Sequence, residues 1–202
     1  MSRKGIDTLA CWGGAAICVL FVAVGALALW GYSYANGTVH NQLSAQHITF
    51  PSQAAFAHAK AGTEITPSMI PSVSQYAGQQ LVTGAQAEVY ANDFIAVHLG
   101  EIGQGKTYSQ LSTAAMALPK GSAAYTKAEA VVQTVFQGTT LRSMLLEAYG
   151  FWFIGQVALW ASIAAFALAG LMFILVGLGV AHAVRTPAHE EVRYLVPATV
   201  AA

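Results

Sequence analysis

Charged residues are scarce in this chain and are missing altogether from two long stretches. Asp, Glu, Lys and Arg make up 9% of the 202 residues, against roughly 25% in ordinary soluble domains. None occurs between Asp7 and Lys60, and none occurs between Glu147 and Arg185. Such stretches cannot form the surface of a water-soluble domain, whereas the interior of a lipid bilayer accommodates them.

A basic excess and a disulfide framework are also missing. The formal net charge is zero, which argues against nucleic acid as a partner because such proteins present a basic patch. Cys11 and Cys18 are the only cysteines, and they are seven residues apart. On one helix their Cα atoms would be about 10 Å apart, too far for a disulfide. The segment that follows therefore has to fold without covalent staples.

Two apolar segments are long enough to cross a membrane. Leu9–Trp30 has 22 residues and Phe151–Ala181 has 31, and neither contains a charge. About 20 apolar residues span the hydrocarbon core, so we predict transmembrane helices at residues 9–31 and 149–182. A cleaved signal peptide is the alternative for the first segment, although its apolar region usually has only about 7–15 residues. The predicted interfacial aromatic anchors are Trp30, Tyr32, Tyr149 and Trp152.

The basic residues close to the two segments predict the orientation. Four of them, Arg3, Lys4, Arg185 and Arg193, lie towards the chain ends, whereas the connecting segment has only Arg142 at a comparable distance. Because basic residues favour the cytoplasmic side, we expect residues 1–8 and the tail 183–202 in the cytoplasm. The middle of the chain is then extracytoplasmic, on the outside of a bacterial plasma membrane.

The middle of the chain divides into two parts. Residues 32–84 are rich in Pro, Ala and Ser, and Pro51, Pro67 and Pro71 disfavour long helices. We predict a short helical stub after the first membrane segment and then an extended, irregular arm. Residues 85–148 show apolar residues at three- and four-residue spacings, which predicts a helical domain. Thr107 is an expected helix cap and Gly138 an expected interruption. The predicted fold class is an all-α membrane protein with two transmembrane helices, a mostly helical extracytoplasmic domain and an irregular arm.

Three short motifs give the chain a family resemblance. They are G-K-T-Y at 105–108, T-L-R at 140–142 and A-Y-x-F-W at 148–152. With these motifs the sequence resembles an actinobacterial family of two-span membrane proteins, often labelled aromatic ring-opening dioxygenases, over about residues 75–180. The resemblance implies the two-span plan and supplies no catalytic residue. A non-heme iron dioxygenase needs two His and a carboxylate around open positions, and no such pattern is evident.

Metal-ligating residue types occur in two places. His98 and Glu101 are three residues apart on a predicted helix, with Asp93 nearby. An imidazole and a carboxylate on one helical face can bind a metal, but di-iron sites need several such residues. A polar helix edge is the favoured interpretation of His98 and Glu101. Three histidines of the predicted arm are the second place, and solvated side chains are the favoured interpretation there. Those three are His40, His47 and His58. We therefore predict no cofactor.

Small side chains recur along both predicted membrane helices. Small faces allow close helix approach in lipid, so we predict a helix–helix interface with other membrane-protein subunits. Neither helix interior contains Asp, Glu, Lys or Arg, which argues against a transport path through these helices. The predicted interface residues are Gly14, Cys18, Ala26, Ala158, Ser162, Ala165 and Ala169.

These observations favour a non-catalytic role. We expect an accessory or assembly subunit of a larger bacterial membrane complex, such as an energy-transducing or oxidoreductase complex. One alternative is a stand-alone extracytoplasmic ligand-binding or sensory module. We expect such a module to carry a cytoplasmic signalling domain, for which the short tail is too small. A second alternative is metal binding through His98 and Glu101. Self-association into a homo-oligomer is the alternative to a different partner.

Overall fold

A computed structural model of the chain describes residues 3–61 and 63–187. Of these residues 80% are helical and none lies in a strand, which confirms the helical part of the predicted fold class. The chain forms two compact units. We call Met1–Gly31 together with Val157–Ala202 the helix-pair unit, and Tyr32–Gln156 the central unit. Most of the predicted tail 183–202, including Arg193, lies outside the described residues.

Two long helices each run through parts of both units, and short helices lie between them in the sequence. The long helices are α1 (Arg3–Ser44) and α7 (Ala123–Arg185). The short helices are α2 (Gln53–Phe56), α3 (Ile70–Val73), α4 (Gly84–Val89), α5 (Ala96–Ile102) and α6 (Tyr108–Met116), with 3₁₀ turns at Pro67–Met69 and Ser74–Tyr76 and a π-helical turn at Tyr90–Ile95.

Both long helices are apolar and long enough to cross a membrane. The most apolar 18-residue window is only 6% buried in α1 and 11% buried in α7. A core helix of a soluble protein would instead be mostly covered by its own chain. Large apolar side chains such as Trp12, Leu20 and Phe173 are more than half exposed. Lipid is the environment that accepts such a surface without an aqueous penalty.

The segment predicted as an extended arm is folded. Helix α1 continues to Ser44, in agreement with the predicted helical stub, but the segment 45–83, predicted to be extended, contains four short helical turns. That segment contributes half of the buried core of the central unit: Phe50, Phe56, Ile65, Met69, Val73 and Leu81. Pro67 and Pro71 lie in the first turns of their helices, where the missing N–H is not needed. The predicted arm is therefore part of the folded unit.

A short backbone bridge ties this segment together. The Leu81 N–H donates to the Ile48 carbonyl at 2.8 Å, and the Phe50 N–H donates to the Gln79 carbonyl at 2.9 Å. The bridge is isolated, and no strand extends from it within the described residues. It places the buried side chains of Phe50 and Leu81 in the same core.

Helices α4 and α5 and the π-helical turn form one nearly continuous rod over residues 84–102. Thr83 and Gln86 close its start by a reciprocal capping box. The rod runs antiparallel to α7, since Gly84 meets Trp152 and Leu99 meets Gly138. These glycines allow the two helices to approach closely, because a Cβ at either position would collide with the facing side chain.

The sequence predicts a helix cap at Thr107 and a helix interruption at Gly138. Thr107 caps α6, and its side chain accepts from the Gln110 backbone at 3.4 Å, which confirms the predicted cap. Gly138 does not interrupt the helix, because α7 is continuous through it. One interior glycine destabilises a helix by only about 1 kcal/mol, and here the absent side chain makes room for Leu99.

Candidate interaction surfaces

The two helices of the helix-pair unit pack antiparallel through small residues. A Cβ on Gly14 would lie 2.7 Å from Val176 Cγ2, and a Cβ on Gly25 would lie 3.0 Å from Phe166 Cε1. Between them the Cys18 thiol donates to the Ala169 carbonyl at 3.4 Å. Because lipid supplies no hydrophobic drive for association, such close backbone packing is what holds membrane helices together.

Most residues of the predicted small-residue stripe are buried or half-buried, and one is exposed. Ser162, Ala165 and Ala169 are buried, and Gly14 is buried while Cys18 and Ala158 are half-buried. Ala26, by contrast, is exposed, and Gly25 is buried in its place. Residues four positions apart are rotated by about 40° around the axis of a 3.6-residue helix. Ala26 is three such steps after Gly14, so its side chain no longer lies on the contact face.

The small-residue face of α7 is therefore covered by the first helix of the same chain. The cross-contacts pair Cys18 with Ala169, and Gly14 with Val176 and Met172. The sequence interpretation assigned this face to a partner subunit. Within the described residues this face is occupied by α1.

A polar contact closes one end of the helix pair. Asp7 Oδ2 lies 3.9 Å from His182 Nε2, and the same oxygen is buried and has no hydrogen-bond partner among the described residues. A cavity of about 190 Å³ lies beside this contact and is lined by Asp7, Cys11, His182 and six neighbouring residues. The distance exceeds that of a direct hydrogen bond, so one water molecule could bridge the two side chains.

The residues weighed as candidate metal ligands do not converge. His98 Nδ1 lies 2.9 Å from the Phe94 carbonyl and its ring packs against the Phe94 ring at 4.6 Å, while Glu101 is exposed. In residues 3–61 and 63–187, no three His, Cys, Asp or Glu side chains are grouped so as to hold a metal ion. The three remaining candidates, His40, His47 and His58, are all exposed.

The four predicted aromatic anchors have different surroundings. Trp30 is 65% exposed, whereas Tyr32 and Tyr149 are half-buried. Trp152 stacks on Tyr149 with ring centroids 6.0 Å apart and packs against Gly84 and the core of the central unit. Trp152 therefore has a packing role that the motif at 148–152 did not reveal.

Tyr90 lies at the edge of the core beside the π-helical turn. Its ring meets Phe50 edge-on at 5.2 Å and Phe94 at 4.7 Å. Burial raises the pKa of the Tyr90 phenol above its ordinary value, and the Glu64 carboxylate raises it further. The phenol therefore stays neutral at physiological pH, which suits a packing residue and does not suit a catalytic base.

A polar contact joins the π-helical turn to α7, and the sequence did not reveal it. The Arg142 Nη2 donates to the Asn92 Oδ1 at 2.8 Å, while the Arg142 Nε is buried and finds no hydrogen-bond partner in the part of the chain that the structure describes. Asn92 and Arg142 are far apart in the sequence, so no local spacing pattern predicts this contact. The contact fixes the register of the rod against α7.

An aromatic pair is exposed on the central unit. The ring centroids of Tyr108 of α6 and Phe136 of α7 lie 5.5 Å apart. Tyr108 is 43% exposed and Phe136 is 46% exposed. Neither belongs to the buried core cluster or to the residues packed against it. We call Tyr108 and Phe136 the aromatic pair.

An apolar groove involves the same elements as the aromatic pair. It has a volume of about 340 Å³ and lies among the end of α5, the α6 helix and the start of α7. Ile102, which lines it, is 42% exposed. The other lining residues are Gly103, Gln104, Leu111, Ala114, Ala115, Leu118, Ala128 and Val131. Such a groove could receive an apolar side chain, and its lining contains no ionisable group.

Comparisons with protein-family models, with curated proteins and with solved structures find no match for this chain.

Proposed function

We propose that this protein is a non-catalytic accessory or assembly subunit of a larger bacterial membrane complex, with the aromatic pair as its main docking point. The exposed aromatic pair is the observation that carries this proposal. Tyr108 and Phe136 lie outside the buried core of the central unit and outside the shell of residues packed against it. Aromatic side chains in such positions are typical anchors of protein interfaces.

The apolar groove among α5, α6 and α7 supports the same proposal. Two exposed aromatic rings on α6 and α7, together with an apolar groove among α5, α6 and α7, suit a partner that inserts one or two apolar side chains. An enzyme would instead gather several polar or ionisable groups in a cavity, and this groove is lined by aliphatic residues, glycine and one glutamine.

The helix pair, in this proposal, anchors the subunit in the membrane with both chain ends in the cytoplasm. The exposure of α1 and α7 supports insertion, and the four-to-one distribution of basic residues supports the orientation. The central unit then faces the outside of the cell.

The first prediction concerns this orientation. In a Cys11→Ala, Cys18→Ala background, a cysteine at the exposed Ser109 should react with a membrane-impermeant thiol reagent in intact cells. A cysteine at Ala198 should react only after the cells are opened. Labelling of intact cells at Ala198 but not at Ser109 would reverse the proposed topology.

The second prediction concerns the partner. A Tyr108→Ser, Phe136→Ser variant should lose its partner when membranes of the native host are solubilised in mild detergent and the protein is purified by a tag. The reason is that both rings leave the interface while the core is untouched. The measurement is the stoichiometry of co-purified protein, compared with the wild type.

The matched control is Gln133→Ala, which changes an exposed polar residue on the same helix and should retain the partner. Amide hydrogen exchange of the central unit should be unchanged in both variants, which separates lost binding from lost folding. A wild type that purifies alone, or a double serine variant that keeps its partner, contradicts the docking role.

A further inference from the structure

A second cavity of the helix-pair unit has a polar end and an apolar body. It is an open groove of about 470 Å³ between the first turns of α1 and the last turns of α7. Lys4 and Thr8 line one end, and Trp12 and Ala15 continue along α1. The α7 side is aliphatic throughout: Val176, Val180, Ala183 and Val184.

The polar end of the groove carries one cation, Lys4. Among the described residues, the close ion pair of this unit joins Asp7 and His182, and these two side chains line a different cavity. Lys4 is exposed, and no described carboxylate pairs with it. The Thr8 hydroxyl donates to the Lys4 carbonyl at 2.8 Å, and its oxygen can still accept. A cation at the rim and an aliphatic body below it match the two ends of an anionic amphiphile.

We propose that this groove binds an anionic phospholipid, with the headgroup phosphate at Lys4 and one acyl chain along Trp12 and Val180. The proposal rests on membrane insertion of the helix pair, as proposed above, and is independent of the protein partner. Basic pockets between membrane helices on the cytoplasmic side recognise anionic headgroups. The polar end coincides with the point where the uncharged run begins after Asp7, as an interfacial headgroup requires.

Trp12 makes the groove observable. It is 73% exposed and its indole lines the groove, so a bound brominated acyl chain should quench its fluorescence. The full chain is reconstituted in vesicles that contain brominated phosphatidylglycerol or brominated phosphatidylcholine as a minor component. Subtracting the signal of a Trp12→Phe variant isolates the Trp12 contribution. Trp160→Phe serves as the control, because Trp160 is 70% exposed on α7 and does not line the groove.

The expected result is an about fivefold preference of Trp12 quenching for the anionic lipid, the scale set by one lysine at a membrane surface. A Lys4→Gln variant should lose this preference, and Lys127→Gln, which changes an exposed residue of the central unit, should keep it. Equal quenching by both lipids, or a preference that survives Lys4→Gln, overturns the lipid site. An absence of quenching by either lipid shows instead that membrane insertion fails. Quenching that falls as protein density rises would assign the groove to a second copy of the chain, which also overturns the proposal.

Discussion

Replacing Phe50 with alanine should destabilise the central unit by about 3–5 kcal/mol, the range for a phenylalanine removed from a close-packed core. Phe50 is 2% exposed, and its ring contacts Tyr76 and Tyr90 at 5.2 Å in both cases. Hydrogen exchange of the amides in residues 84–102 should then become at least about 100-fold faster in the full-length protein in detergent.

Phe136→Ala is the matched control for this change. It removes the same ring from a side chain that is 46% exposed, so exchange in residues 84–102 should change little. If Phe50→Ala leaves exchange unaltered, residues 45–83 are not part of the folded unit and the arm interpretation of the sequence would be restored. If both variants accelerate exchange equally, the aromatic pair is structural and no longer qualifies as a docking point.

A cysteine placed at Gly179 should form a disulfide with the native Cys11. A Cβ at position 179 would lie 3.0 Å from Cys11 Sγ. In a disulfide with an S–S bond of about 2.05 Å, a Cβ lies about 3 Å from the opposite sulfur. The experiment uses a Cys18→Ala background and mild oxidation in membranes. Proteolysis after the lysines that lie between α1 and α7 in the sequence should then leave the α1 and α7 fragments joined by the disulfide. A reductant should separate the fragments.

Gly177→Cys is the control for the cross-link, because a Cβ at that position has nothing within 4 Å and should yield separate fragments. Failure of the Gly179→Cys variant to cross-link would contradict the antiparallel packing of the helix pair. A cross-link that joins two copies of the chain, instead of two helices of one chain, would show that the small-residue faces serve self-association.

The sequence predicts the parts of this fold that follow from local physical chemistry. Uncharged stretches of sufficient length predict both apolar helices. Thr107 predicts a helix start because its hydroxyl can accept a hydrogen bond from a free backbone N–H. The buried position of Ser162, Ala165 and Ala169 also agrees with a small-residue contact face. What the sequence could not assign was the occupant of that face, since a small residue permits close approach by any helix.

The remaining differences arise from contacts between residues that are far apart in the chain. The segment 45–83 reads as irregular because its prolines and short turns give no period, yet Met69, Val73 and Leu81 are completely buried. Gly138 reads as a break because the facing Leu99 is not visible in a local window. The pairing of Arg142 with Asn92 is likewise set by the register of two helices, and no spacing rule predicts it.

In the proposed function, the aromatic pair contacts another membrane protein. The most direct test replaces Phe136 with a photoactivatable phenylalanine derivative in cells of the native host, followed by irradiation and purification of the adducts. We expect one discrete adduct between this 21.1 kDa chain and a different membrane protein. The same derivative at the exposed Thr134 should give little or none. An absence of any protein adduct at position 136, or an adduct only with a second copy of the chain, would contradict the proposed accessory function.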